Sequence, residues 1–282
     1  MRNVNLDTIT DAATDSFDRL PVQRQRVLVQ QLLRHVHAYA KSVQLTHAEW
    51  RAALAFLHRV GDISTNERSE FSLLSDVTGL SSLVDMLASD PADRHITPGS
   101  NLGPFHTIGS PWVGNPADLV AHNTGTRVRL RGLVRSSSDG APLAGATIDF
   151  WQNAANGLYW QQDPQQPKDN LRCQLRVASD GSFEIATVRP VPYQIPLDGP
   201  VWHELVQPAG LTGWRPAHYH LIVSAPGHRT LVTEVFDVDD PYLDSDAVFG
   251  VREPLVGQYK ADQAESQGLV MTLEFKLERA RA

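Results

Sequence analysis

Trp214-Arg215-Pro216-Ala217-His218-Tyr219-His220 carries two histidines one residue apart, and the backbone beneath them decides what they can do. In a strand, side chains at i and i+2 leave the same face, so both imidazoles can reach one ion; in a helix they point to nearly opposite sides. Ala217, Tyr219, Leu221 and Val223 alternate with His218, His220 and their neighbours. That is strand periodicity, and it sets the two histidines together on the face opposite the apolar one. A second pair, His35 and His37, lies in Leu32-Leu33-Arg34-His35-Val36-His37-Ala38-Tyr39, where the spacing is helical, so this pair is not expected to chelate.

The strand reading extends outward from residue 126. Leu171, Cys173, Leu175 and Val177 alternate with Arg172, Gln174 and Arg176, and Leu269, Met271, Leu273, Phe275 and Leu277 alternate with Val270, Thr272, Glu274 and Lys276. Further strands are expected at 127–134, 146–151, 182–188, 217–224 and 230–236, separated by turn signals such as Asp139-Gly140 and Asp180-Gly181. Seven or so short strands at this spacing predict a mainly antiparallel β-sandwich. Long irregular stretches at 153–170, 189–216 and 237–267 interrupt it, and loops on a rigid sandwich are where sites are usually built.

Upstream the period is helical. Val29, Leu33, Val36 and Ala40 form one stripe on a helix that begins after Pro21. Thr46-His47-Ala48-Glu49 has the form of a capping box, Gly61 is read as the end of the helix that follows, and Ser64-Thr65-Asn66-Glu67 repeats the capping signature. A last short helix is expected after Gly79. Between Asp90 and Gly125, repeated Pro and Gly remove regular structure, while Leu102, Phe105, Ile108 and Trp112 mark a segment that packs as the wall of a site. The fold class expected is α+β: a helical domain over 1–100, then a sandwich domain over 101–282.

Composition excludes several classes. The 282 residues are 41% hydrophobic with a net charge of -7 and no dense Lys/Arg run, which argues against a nucleic-acid surface. Cys173 is the lone cysteine, so neither an intramolecular disulfide nor a thiolate cluster can form, in keeping with a reducing compartment. The first residues lack an apolar run, and no stretch approaches the roughly 18 apolar residues of a membrane helix. A soluble cytoplasmic protein without a membrane span is expected.

Two loop tyrosines lie just past strands: Tyr159 in Asn156-Gly157-Leu158-Tyr159-Trp160 and Tyr193 in Arg189-Pro190-Val191-Pro192-Tyr193-Gln194-Ile195-Pro196. Spacing alone does not separate ligands from packing residues here. The two stretches, with Asp180-Gly181-Ser182-Phe183, Asp198-Gly199-Pro200 and Arg215-Pro216-Ala217-His218-Tyr219-His220, resemble the intradiol ring-cleavage dioxygenases. Leu45-Thr46-His47-Ala48-Glu49-Trp50 and Glu70-Phe71-Ser72-Leu73-Leu74-Ser75-Asp76 resemble that family's N-terminal helical domain, so the likeness covers nearly the whole chain.

The resemblance implies non-haem Fe(III) held by Tyr159, Tyr193, His218 and His220. Phenolate oxygen is a hard anionic donor suited to that ion. It also implies a catechol-type diol that binds through both oxygens, displaces Tyr193, and is cleaved by O2 between its hydroxylated carbons to a muconate-type diacid in aromatic catabolism. Arg215 would stabilise negative charge on the ring; a surface ion pair is its alternative. Tyr219 is assigned to packing.

Tyr242-Leu243-Asp244-Ser245-Asp246-Ala247-Val248-Phe249-Gly250-Val251 resembles the hydroxyquinol 1,2-dioxygenase branch, which implies benzene-1,2,4-triol as substrate and a pocket walled by Leu73, Asp76, Asn101, Leu102, Gly103, Pro104 and Val248. Asp76 is the partner expected for the extra hydroxyl; the alternative is a helix cap facing solvent. Glu234 departs from the family pattern, standing where an uncharged Gln or a His is usual near the iron. A carboxylate there repels a dianionic diol unless it is protonated or paired, with Arg215 as the candidate partner. Catechol or another substituted catechol remains an alternative substrate. A noncatalytic transthyretin-like binding module is the second alternative, drawn from Gly132 to Trp151. The helical domain is expected to form a homodimer that can hold a lipid-like molecule.

Overall fold

The computed structural model describes residues 4–66, 68–88, 95–263 and 268–280. Two compact units make up the chain, Met1–Arg59 and Val60–Ala282. Among the described residues five α-helices come first: α1 (Ile9–Asp15), α2 (Gln23–Ser42), α3 (His47–Ile63), α4 (Glu70–Val77) and α5 (Leu80–Ala88). The short α1 lies before the expected start of helical structure and packs on α2, where Gln30 Nε2 donates to the Thr14 carbonyl at 3.0 Å. Along α2, Val29, Leu33 and Ala40 are half-buried while Val36 is exposed, with Leu28 and Leu32, so the helix shows solvent a second apolar stripe.

The capping box at α3 forms as its chemistry requires. Thr46 N–H donates to Glu49 Oε2 at 2.9 Å and Glu49 N–H to Thr46 Oγ1 at 3.3 Å. Gly61 does not stop α3, which runs two residues further. The second capping signature is displaced as well: Ser69 caps α4 by accepting from Ser72 N–H, while the Ser64 hydroxyl bonds back to the Val60 carbonyl at the end of α3. Glu67 lies outside the described residues.

Among the described residues twelve strands follow: β1 (Ala117–Asp118), β2 (Arg127–Ser136), β3 (Thr147–Trp151), β4 (Arg172–Arg176), β5 (Ser182–Val188), β6 (Tyr193–Gln194), β7 (Trp214–Arg215), β8 (His218–Ser224), β9 (Leu231–Asp237), β10 (Val256–Gly257), β11 (Lys260–Ala261) and β12 (Leu269–Leu277). One five-stranded sheet runs β1-β5-β2-β12-β11 and another β10-β9-β8-β3-β4. They share one core: Leu130, Ile185, Met271 and Phe275 from the first, and Ile148, Phe150, Leu175, Tyr219, Leu221 and Val235 from the second. The sandwich is mainly antiparallel, as expected, but not purely so, since β1–β5, β9–β10 and β2–β12 pair parallel. Its longest pairing, β2 with β12, is parallel over nine residue pairs, because the chain reaches β12 after the whole second sheet has been laid down.

The second sheet positions the site. β3, β8 and β9 pair antiparallel with Trp151 opposite His220 and His220 opposite Glu234, while Arg172 of β4 stands opposite Trp151. Because alternate residues share a face, this row lies on the side away from the core, where the loops cross. Tyr219, between the histidines, is 1% exposed in the core, with its hydroxyl 2.9 Å from that of Tyr259.

Gly132 marks the tightest approach in the first sheet: a Cβ there would overlap the Leu273 carbonyl oxygen and come within 2.9 Å of the Phe183 ring. Overpacking of this kind costs about 1–3 kcal/mol. Gly132→Ala is therefore expected to lower the melting temperature by several degrees, since about 1 kcal/mol moves a domain of this size by roughly 2–4 °C. An unchanged thermal melt would contradict the packing described.

Candidate active site

Strands β6 and β8 and the loop after β3 bring four aromatic side chains into a closed ring. Tyr159 and Tyr193 lie edge to face with ring centres 5.5 Å apart, Tyr193 is 5.5 Å from His218, His218 is 4.6 Å from His220, and His220 is 6.2 Å from Tyr159. All four are buried. Phe105 stacks on Tyr159 at 4.7 Å, and Trp151 lies flat on His220 at 4.8 Å, 4° from parallel. Gly103, at φ +73°, closes the site beside His220; a Cβ there would lie 3.2 Å from the imidazole Cε1.

The nitrogen geometry fixes one tautomer. His218 Nδ1 is 2.6 Å from the Pro216 carbonyl, which can only accept, so Nδ1 carries a proton and neutral His218 presents its lone pair at Nε2, where Arg215 Nη1 donates to it at 3.2 Å. That Nε2 is 3.0 Å from His220 Nε2. Burial, with Arg215 adding to it, pulls the His218 pKa down to about 4, and burial beside His218 pulls His220 well below its ordinary value. Both imidazoles are neutral at neutral pH, the form that binds metals.

Arg215 sits 2% exposed between two carboxylates. Its Nη1 donates to Glu234 Oε1 at 2.7 Å and its Nε to Asp246 Oδ1 at 3.0 Å. The surface ion pair weighed for Arg215 is thus replaced by a buried one. Burial is the largest influence and opposes the charge on Glu234, but Arg215, His218 and His220 together outweigh it and hold the carboxyl below its usual range. Glu234 Oε1 also lies 3.4 Å from His218 Nε2 and 3.5 Å from His220 Nδ1, and Ser100 Oγ donates to Oε2 at 2.6 Å. A Cβ at Gly250 would come within 3.0 Å of Glu234, Arg215 and Asp246 together, so this residue admits the network only as glycine.

A cavity of about 510 Å³ is lined by Asp76, Asp85, Ser100, Leu102 and Gly103 among others; Gly103 joins it to His220 and Ser100 to Glu234. Asp76 is 3% exposed, so it is no cap facing solvent. Leu73 is buried on the same helix, α4. The Asn101 amide is engaged, donating to the Val248 carbonyl at 2.9 Å, and so ties the 246–250 turn in place. Pro104 is half-buried and Leu102 is 41% exposed at the cavity edge. His35 and His37 have separate contacts on α2: His35 Nδ1 faces the Gln31 carbonyl and His37 Nδ1 faces Thr10 Oγ1.

Candidate metal donors are tested by their own chemistry. His218, His220 and Glu234 offer ligand atoms within 4.8 Å of one another. The Tyr159 hydroxyl and His220 Nδ1 are buried without a hydrogen-bond partner, an arrangement that costs stability unless something fills it. Two neutral imidazoles and two phenol oxygens with no thiolate fit a hard metal ion.

Comparison with known proteins adds the family. The sequence signature described as the catechol dioxygenase N terminus matches residues 23–95, and that described as dioxygenase matches residues 113–279. A 6-chlorohydroxyquinol 1,2-dioxygenase of Cupriavidus pinatubonensis is 38% identical over 259 residues, 92% of this chain and 93% of that protein. An intradiol ring-cleavage dioxygenase of Aspergillus niger is 37% identical over 243 residues, 84% of this chain and 77% of that one. The chain belongs to the intradiol ring-cleavage dioxygenases. A crystal structure of hydroxyquinol 1,2-dioxygenase from Pseudomonas putida DLL-E4 superposes with a TM-score of 0.83 at 39% identity, covering 98% of this chain and 99% of that chain.

For this dioxygenase, sequence reasoning missed Ser100, Trp151, Asp246 and Gly250 as parts of the site. Asp246 and Gly250 lay within a quoted motif, and Trp151 closed an expected strand, but which side chain each would meet depends on register and loop closure.

Burial raises the Asp76 pKa to about 6, against 3.8 ordinarily. Between those pH values the folded chain holds the extra proton, so stability falls as pH rises, by roughly 3 kcal/mol once Asp76 is ionised. Asp76→Asn is expected to raise the melting temperature at pH 7.5 and not at pH 4. Equal shifts at both pH values in thermal melts would contradict this.

Proposed function

We propose that this dioxygenase cleaves benzene-1,2,4-triol with O2 between its adjacent hydroxylated carbons, at ferric iron held by Tyr159, Tyr193, His218 and His220. Convergence of those four side chains in one buried ring supports the ligand set, with the orphaned Tyr159 hydroxyl as its most specific sign. Ferric iron, when bound, supplies a Lewis acid that draws electron density from the diol. The C. pinatubonensis and P. putida relatives, a 6-chlorohydroxyquinol and a hydroxyquinol 1,2-dioxygenase, agree with a buried carboxyl, Asp76, on a cavity whose wall at Gly103 abuts His220. Protonated or ionised, that carboxyl can hydrogen-bond a third hydroxyl. Catechol is the alternative substrate.

The residues around the ring then have distinct tasks. Arg215 orients the diol's oxygens and balances negative charge as the ring is attacked, though two carboxylates already share its charge. Trp151 and Gly103 hold His220 in plane. Leu73, Asn101, Leu102, Pro104 and Val248 shape the pocket. Tyr193 is the phenol that yields to substrate and takes up a proton; burial, which pushes its pKa up, favours the neutral form once it is released. We place the sandwich domain at 101–282, the helical domain at 1–100, and the protein in the cytoplasm. No single helix among the described residues is long and apolar enough to cross a membrane.

Iron-loaded protein is expected to be coloured, and Tyr159→Phe or His220→Ala to lose the iron or the visible band; retention of both by either variant rejects the ligand set. Oxygen uptake should be faster on benzene-1,2,4-triol than on catechol, and Asp76→Ala should narrow that preference at least tenfold, about the 1.4 kcal/mol of one hydrogen bond. A wild-type preference for catechol would overturn the substrate. Leu28 and Leu32, at 53% and 63% exposure on α2, support a homodimer through the helical unit. Sedimentation that stays monomeric at all concentrations would refute it.

A further inference from the structure

His218 and His220 use their ring nitrogens asymmetrically. Their Nε2 atoms converge at 3.0 Å, the spacing of two adjacent ligands on one ion, which leaves each Nδ1 pointing away. For His218 the outward proton goes to the Pro216 carbonyl, a neutral acceptor fixed by the backbone. For His220 the outward Nδ1 is buried without a hydrogen bond, and the group it faces is Glu234 Oε1 at 3.5 Å. Register makes this placement unavoidable, since His220 and Glu234 are directly opposed across β8 and β9.

Glu234 is built to stay where it is. Its Oε1 is held by Arg215 and its Oε2 by Ser100, in space that a side chain at Gly250 would take from it. On the opposite side, Trp151 lies flat on the His220 ring. The imidazole is therefore fixed between an aromatic plane and a backbone surface, with a carboxylate at its far nitrogen.

We propose that Glu234 is a positioning residue that acts through His220: its carboxylate accepts a hydrogen bond from the Nδ1–H of His220, makes that ring a more electron-rich ligand, and so sets the electron affinity of the metal. A carboxylate behind a metal-bound imidazole orients the ring and raises its basicity. A glutamine in the same place would fill the same space and accept the same hydrogen bond without the charge. The inference rests on the iron reading of the site, and goes beyond it by assigning the charge of Glu234 to the metal's electronic tuning instead of to metal binding.

The test compares iron-loaded wild type with Glu234→Gln and Ser100→Ala, reading iron content, the visible phenolate-to-metal band and the metal reduction potential. Glu234→Gln is expected to keep one iron per chain, with its band moved to longer wavelength and its potential raised. Ser100→Ala removes the donor on Oε2 and leaves more charge on the carboxylate, so its band should move to shorter wavelength. Unmoved band and potential in Glu234→Gln, or both variants shifting the same way, overturn the proposal. Loss of iron from Glu234→Gln also overturns it, because that is the result for a carboxylate bound to the metal itself. Where Glu234→Gln does not fold, the sign of the Ser100→Ala shift alone decides. A wild-type protein that takes up iron without any visible band refutes the ferric tyrosinate reading, a failure distinct from a band that exists and does not move.

Discussion

A single guanidinium held between two carboxylates, all three buried, is the constraint on which the site depends. Arg215, Glu234 and Asp246 are 3% exposed or less at their side chains. Removing one member of such a cluster leaves an uncompensated buried charge, which costs about 3–5 kcal/mol. The three come from three places: β7, the sandwich strand β9, and the turn after Tyr242. Folding the cluster therefore fixes the loops against the sheet, and with them Tyr193 beside β7 and Val248 beside Asn101.

The cluster also sets the charge of the site. Two carboxylates against one guanidinium leave a net negative charge next to the two histidines. That favours a bound cation and disfavours a free anion, so a dianionic diol depends on the metal more than on Arg215 for its attraction. The departure at Glu234 thereby changes the balance of the site without changing its shape. Asp76 adds a third buried carboxyl, on the cavity, and burial raises its pKa to about 6.

Much of this was legible in the sequence where one local rule decided the outcome. Alternation along 217–224 placed His218 and His220 on the outer face and Tyr219 in the core, and the same rule located β3, β4, β5, β9 and β12. The Thr46–Glu49 box formed because it needs only four residues. Rules failed where a distant partner decided: Gly61 is accommodated inside α3, and Ser69 rather than Ser64 caps α4. Neither the parallel pairing of β2 with β12 nor the approach of Asp246 to Arg215 has a local signal. Ser100 and Trp151 are ordinary residues whose place near Glu234 and His220 comes from register and loop closure. Phe105 was expected to pack in a wall, and it does, against Tyr159.

The most direct measurement is anomalous diffraction at the iron absorption edge from crystals of the iron-loaded protein. The expected result is one peak about 2 Å from His218 Nε2 and His220 Nε2 and from both phenol oxygens, as metal–ligand bonds require, with Glu234 behind His220 and outside the coordination sphere. A peak elsewhere in the chain, or one bonded to the Glu234 carboxylate with the tyrosines turned away, would contradict the assignment of the site.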